Sequence, residues 1–474
     1  MSFFSPPFAV FLTLGLLAYY QAPASWRPRI LLGLSLIFYV SWGLTGALLL
    51  SAVAVLVFLA AILIEKCQPE QAKLRLTALA VTLLSVLLAA LKFGSAIMGL
   101  FRAGSIAALV APLGLSYYIF RTIGYILDVY WEKIPAQRNF VSLALYVSFF
   151  PQIVSGPIQR ADDFWRQLDG LRHRGSGEFV EGLRRILFGL FKKIVIADQL
   201  ADLVAAVHAN PSKFSSPELL LGAYCYSFQL YMDFSGLTDI AIGIGLLFGI
   251  RGPENFDRPF LAANIQDFWR RWHMSLTTWL TDYLFLPLRM SLRSLGTAGL
   301  LAAIFINMVA IGMWHGPAWT YLEFGALNGV YMMVSVLTLK KRDAFFKRHP
   351  GLIPARRVAG TLVTFHLVVL AQVFFRADSS RLALAYVRGL FTGFIHQGTG
   401  FWRLHNYWSQ LGLSSFRLAL ILIVVVATDA VSRRHLERRM LGVPTAFRWG
   451  LYYAVIALVL FYYKTSMTFI YAQF

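Results

Sequence analysis

Residues 46–64 read GALLLSAVAVLVFLAAILI, nineteen positions without a charge or an amide. Coiled as an α-helix, about 20 apolar residues cover the roughly 30 Å hydrocarbon core of a bilayer. Comparable runs lie near 3–21, 30–43, 76–98, 108–130, 186–208, 217–250, 296–316, 319–340, 358–376, 414–431 and 446–463. The run at 217–250 fits one long helix or two. The fold class they predict is an all-α polytopic membrane protein with about eleven to twelve transmembrane helices. The first run lacks a basic leader and a cleavage site, so it reads as a span rather than a removed signal peptide.

Composition agrees. Of 474 residues, 58% are hydrophobic and 14% charged, whereas a soluble protein is about a quarter charged. A cytosolic enzyme, a disordered scaffold and a disulfide-stapled secreted domain are excluded. Cys67 and Cys225 lie far apart and offer neither a disulfide framework nor a cysteine zinc site. No internal repeat, low-complexity linker or intervening soluble domain stands out, so residues 1–474 are expected to form one membrane-embedded domain.

The charge balance, 43 Lys and Arg against 23 Asp and Glu, gives +20. In so apolar a chain, basic residues mark cytoplasmic loops and no nucleic acid is needed to explain them. The densest cluster is Lys340, Lys341, Arg342, Lys347, Arg348, Arg356 and Arg357; Arg433, Arg434, Arg438 and Arg439 form a second, two spans away and so on the same side. Segments 160–185 and 251–295 also read as cytoplasmic. The N-terminal half fits this parity only if residues 139–158 do not cross. Pro151, Gly156 and Pro157 break that stretch, which predicts a re-entrant loop and places both termini outside.

Within the apolar background a few polar residues stand out. Residues 262–286, AANIQDFWRRWHMSLTTWLTDYLFL, place Ile265, Phe268, Trp269, Trp272, Leu276, Trp279, Leu280 and Tyr283 at helical spacing, with Asp267, Arg270, Arg271, Thr281 and Asp282 opposite and His273 at the border. An amphipathic helix at the interface accounts for this pattern. Arg270 and Arg271 would equally suit the phosphates of an anionic cosubstrate. His315 lies in MWHGPAW (313–319), at the end of an apolar run interrupted by Gly316 and Pro317 and flanked by Trp314 and Trp319. A desolvated imidazole stays neutral near pH 7 and can serve as a general base; anchoring a helix turn would also explain it. His366 lies inside a span without polar company, where a backbone carbonyl would satisfy it. Asp233 and Asp239, in YMDFSGLTDIAIGIG (231–245), must be paired, protonated or turned to a cavity. Asp233 is a candidate substrate contact, and fixing the fold by hydrogen bonding explains it as well. No phosphate loop, nucleophile elbow or metal-ligand spacing occurs, so no metal is expected.

Several segments in order resemble the membrane-bound O-acyltransferase family, in its bacterial branch similar to alginate O-acetyltransferase. They are PLGLSYYIFRTIGYILDVY (112–130), FFPQIVSGPIQR (149–160), QLYMDFSGLTDIAIGIGLLFGI (229–250), PENFDRPF (253–260), DFWRRWHMSLTTWLTDYLFLPL (267–288), MWHGPAW (313–319) and VFFRA (373–377). The resemblance implies helices around a central funnel, a cytoplasmic entrance for the acyl donor, His315 as the catalytic histidine and His273 as the second motif position. One departure is Leu327-Asn328-Gly329, where the alginate-type pattern usually has a histidine; Asn328, a candidate substrate contact, can orient a group but cannot shuttle a proton near neutral pH.

The expected activity is therefore transfer of an acetyl group from cytoplasmic acetyl-CoA to a hydroxyl beyond a bacterial inner membrane. The acceptor would be an exopolysaccharide such as alginate, reached directly or through a periplasmic partner protein. His315 would take the hydroxyl proton, and Trp314 and Trp319 would wall the site against water. A transporter or flippase for a lipid-linked glycan is the alternative, suited by the basic loops, broken spans and embedded acids; a scaffold subunit of a secretion complex is a third reading.

Overall fold

The structure is a computed structural model and describes residues 1–100, 112–154, 156–170, 176–392, 415–430 and 442–463. The basic loop Arg433–Arg439 lies outside the described residues. Among those described, every regular element is helical. In order they are α1 (Pro6–Gln21), α2 (Arg27–Val40), α3 (Leu44–Lys66), α4 (Glu70–Leu100), α5 (Leu115–Tyr130), α6 (Phe140–Ser148), α7 (Phe150–Ile153), α8 (Ala161–Asp169), α9 (Ser176–Leu190), α10 (Asp198–Ala209), α11 (Ser216–Leu247), α12 (Ile265–Arg271), α13 (Met274–Leu280), α14 (Leu286–Ser291), α15 (Gly296–His315), α16 (Trp319–Arg348), α17 (Ile353–Arg376) and α18 (Ser380–Thr392). Two further helices cover Ser415–Ala430 and Thr445–Tyr462.

The opening stretch forms α3. It buries one stripe, Ala47, Leu50, Ala54, Val57, Ala61 and Ile64, while Leu48, Leu59 and Leu63 stay more than half exposed. A helix apolar all round yet buried along one stripe is built to face lipid with the rest. Seven described helices are long and apolar enough to cross a membrane, fewer than the runs in the sequence. The reasons are local. α1 and α2 have 16 and 14 residues, short of a full span. The run at 186–208 is divided by a π-helical turn at Phe191–Ala197. α5, within the run at 108–130, has 16 residues and buries Arg121 and Asp128, and residues 108–111 of that run lie outside the described residues. The run at 217–250, in contrast, forms a single helix up to Leu247, α11, whose apolar span is wholly buried.

By contact the described chain separates into two compact units, Met1–Gly189 with Leu237–Pro253, and Leu190–Gly236 with Glu254–Tyr463. In the first unit, residues 139–160 form no span. Asn139 caps α6 by accepting from the amides of Val141 and Ser142 at 2.9 and 3.3 Å. Phe149 (φ −50°, ψ 104°) breaks the helix before α7, and all described residues of 151–159 are buried. Irregular backbone of this kind is tolerated at membrane depth only when protein encloses it. Phe150 provides part of that enclosure, with ring centroids of Phe11, Phe38 and Phe248 at 5.5, 5.6 and 5.8 Å. The Gln159 amide nitrogen donates to Asp163 Oδ2 at 2.6 Å and to the Arg251 carbonyl at 3.1 Å.

Gly114 sets the closeness of this packing. Its φ is +73°, and a Cβ there would lie 1.9 Å from the Ile153 carbonyl oxygen. Gly114→Ala therefore combines left-handed strain with a backbone clash, and its expected cost is roughly 2–4 kcal/mol. Gly33, with nothing within 4 Å of the added carbon, is the control, and Gly33→Ala should shift stability by no more than about 1 kcal/mol. Unfolding midpoints of detergent-purified variants check the contrast.

Candidate active site

All of the following lies in the second unit. Apolar sequence carries α15 to His315, where Gly316 and Pro317 end it, and α16 starts two residues later. The two helices cross backbone to backbone. A Cβ on Gly312 would fall 2.2 Å from the Tyr321 carbonyl oxygen, and one on Gly325 would fall 2.7 Å from that of Met308. Small residues at such a crossing let helices approach closely in an apolar medium, and here they fix the hairpin that presents His315.

His315 is 4% exposed. Its ring meets Trp314 and Phe375 nearly edge to face, at centroid distances of 4.6 and 4.7 Å, with Tyr321 at 6.1 Å. Trp314 also meets His273, at 5.6 Å. One indole thus stands between the two histidines that the sequence singled out. His273 additionally packs on Phe234 of α11 at 4.7 Å.

Residues 262–286 are not one amphipathic helix. α12 ends at Arg271, His273 takes φ 46° and ψ 51°, α13 begins at Met274, and a π-helical turn follows at Thr281–Phe285. The break has a tertiary cause: residues 255–257 run antiparallel beside it, with the Asp257 amide donating to the Arg271 carbonyl at 3.0 Å. The apolar positions from Ile265 to Leu280 are buried as the stripe predicts, but Tyr283 is only partly buried. The Trp272–His273 corner carries the histidine from the border of the stripe into the interior, 2% exposed. Both ring nitrogens are closed off from solvent.

Other candidates fall elsewhere. Trp319 is 73% exposed; as the first residue of α16 it stands at the surface, whereas Trp314 meets both histidine rings. Arg270 is exposed, and the Arg271 ε-nitrogen donates to Asp267 Oδ1 at 3.0 Å. Asn328 is buried and spends its amide on structure: its oxygen accepts from Trp269 Nε1 at 3.2 Å and its nitrogen donates to the Phe324 carbonyl at 2.8 Å, tying α12 to α16. Asp233 is fully buried and pairs with Lys193 Nζ at 2.6 Å, with Asp198 completing the group at 2.8 Å. It is an ion-pair partner in the interior. His366 bonds the Leu362 carbonyl through Nδ1 at 2.7 Å and also gains a polar neighbour, the Tyr224 hydroxyl, 2.7 Å from Nε2. Sequence reasoning missed Lys193, Phe375 and Tyr321. A lysine inside the apolar run 186–208 was the available signal for the first and the VFFRA segment (373–377) for the second; Tyr321 gave none.

Apolar helices enclosing two histidines around a shared tryptophan define a multi-pass membrane protein with a buried imidazole centre. The chain belongs to the membrane-bound O-acyltransferase family, whose model matches residues 34–371, and it is an O-acyltransferase. It is 33% identical over 459 residues to a protein of Azotobacter vinelandii named "Probable alginate O-acetylase AlgI", covering 92% of this chain and 86% of that one. A protein of the same name from Pseudomonas aeruginosa is 36% identical over 324 residues, 67% of this chain and 58% of its own length. The "Peptidoglycan O-acetyltransferase" of Helicobacter pylori is 31% identical over 420 residues, covering 80% and 77%.

His273 lies outside the helices long enough to cross a membrane, and burial pushes its pKa down to about 3. The folded value lies below the unfolded one, so the stabilisation is complete above about pH 6.5 and is lost as pH falls towards the folded value. Between pH 6.5 and 5 this histidine should cost roughly 2 kcal/mol of stability. Detergent unfolding curves of the parent and His273→Gln should diverge by that amount as pH falls; parallel curves would mean the imidazole is not dry.

Proposed function

We propose that the chain moves an acetyl group from cytoplasmic acetyl-CoA to a hydroxyl of an extracytoplasmic polysaccharide in a bacterial inner membrane. An exopolysaccharide such as alginate is the acceptor class of choice, reached directly or through a periplasmic acetyl carrier, and the whole chain serves as one functional domain. The observation that carries the reading is His315, a buried imidazole at a helix end enclosed by Trp314 and Phe375. The relatives' names supply the acetyl group and the glycan acceptors. Membership of an acyltransferase family displaces the flippase reading.

In this mechanism neutral His315 accepts the acceptor's hydroxyl proton as the oxygen attacks the thioester carbonyl. The carbon–sulfur bond breaks, the thiolate of CoA leaves, and the imidazolium returns the proton to sulfur. Trp314 keeps water from the thioester. His273, on the other side of Trp314, is the second catalytic group, able as a neutral imidazole to donate one hydrogen bond to the carbonyl oxygen once the indole shifts. Exposed Arg270 is the candidate for the donor's phosphates, with Arg271 sharing its charge with Asp267.

Purified protein supplied with labelled acetyl-CoA and a polysaccharide acceptor tests this. His315→Ala should reduce transfer by roughly 10²–10⁴-fold. In cells the variant should keep polymer and protein abundance while losing ester-linked acetyl. Full acetylation in His315→Ala, or loss of the polymer itself, would overturn the proposal.

A further inference from the structure

His273 occupies the N-cap position of α13, yet its side chain makes no cap hydrogen bond. The first amides of a helix need acceptors, and here one distant residue supplies them. The Asn255 carbonyl oxygen accepts from the Met274 amide at 2.9 Å, and Asn255 Oδ1 accepts from the Ser275 amide at 3.1 Å. Asn255 is fully buried. Two residues on, the Asp257 amide bonds the Arg271 carbonyl at 3.0 Å, so residues 255–257 grip the chain on both sides of Trp272–His273. Phe256 fills the space between, with ring centroids of Trp272 and Phe234 at 5.1 Å each, and Phe234 in turn packs on His273.

The grip explains a conformation that the local sequence does not favour. A histidine with φ of 46° is one of three described non-glycine residues at positive φ, a region that L-residues enter only where the surroundings compel it. Were residues 268–276 to continue as one helix, Met274 and Ser275 would donate to carbonyls four residues back. Asn255 takes both amides instead, and the chain must turn at His273. The turn places the ring between Phe234 and Trp314, facing the indole that also touches His315.

We infer that Asn255 is a positioning residue for His273: it caps α13 from outside and thereby holds the imidazole against Trp314. The inference rests on the reading of His273 as part of the acyl-transfer site. The reaction is acyl transfer, and the contribution of Asn255 is geometric, with no contact to the reacting groups.

The test compares Asn255→Ala with Asn255→Asp, which keeps the side-chain acceptor, in detergent-purified full-length protein. One readout is acetyl transfer from acetyl-CoA. The other is carbethoxylation of individual histidines by diethyl pyrocarbonate, located by mass spectrometry, with exposed His349 as the reactive reference. Parent protein and Asn255→Asp should leave His273 unmodified. Asn255→Ala should label it and lower kcat by about tenfold or more, with KM for the donor within about twofold. Protection of His273 together with parental kcat in Asn255→Ala would overturn the assignment. So would failure of both variants to accumulate, which would make Asn255 a folding residue. His273→Gln, assayed alongside, separates the two readings: if it is fully active, His273 is not catalytic, while the labelling pattern still reports whether Asn255 holds the ring.

Discussion

A lysine ammonium held between two carboxylates, away from water, sets the terms on which the central helix packs. Lys193 and Asp233 approach to 2.6 Å with side chains almost wholly buried. Removing one member of such a group leaves an uncompensated charge, at a cost of about 3–5 kcal/mol. The segment bearing Lys193 is a π-helical turn, and the wider turn brings one ammonium within reach of both Asp198 and Asp233. Six residues beyond Asp233, about 240° around the helix, Asp239 takes Arg185 at 3.2 Å. Each of the two aspartates of α11 is thus neutralised by its own cation, and the helix can be buried over its full apolar span.

With α11 held in that way, Phe234 is fixed as the floor on which His273 rests. The placement of His315, at the other side of Trp314, depends on a different device, the close crossing of α15 and α16. One histidine is therefore positioned by a loop that crosses its backbone and the other by a helix end. The indole between them couples two independently anchored groups, so either anchor can be altered while the other is left in place.

Much of this was legible in the sequence. Apolar runs named the class, and a histidine followed by glycine and proline at a helix end stood out as His315. The stripe predicted from Ile265 to Tyr283 is buried as far as Leu280, while Tyr283 is only partly buried and His273 and Ser275, outside the stripe, are buried as well. Periodicity could not reveal the corner at His273, because a one-residue break hardly disturbs the spacing and its cause lies at Asn255, far back in the chain. Trp319 misled for a related reason: adjacency to His315 in sequence says nothing about direction once Gly316 and Pro317 have turned the backbone. The partners of Asp233 were hidden because an ion pair joins residues from different helices, and the bond from Trp269 to Asn328 was hidden for the same reason.

The α15–α16 crossing also bears on how such a chain can diverge. At Gly312 and Gly325 even a methyl group would strike backbone rather than a movable side chain, so no single substitution there can be absorbed by repacking. The outer faces of the same helices, where Met313, Val330 and Val334 are nearly half or more exposed, carry no such restriction. Descendants of this sequence can drift freely on the lipid side to suit membranes of different composition, while the hairpin that carries His315 is inherited almost as a fixed part.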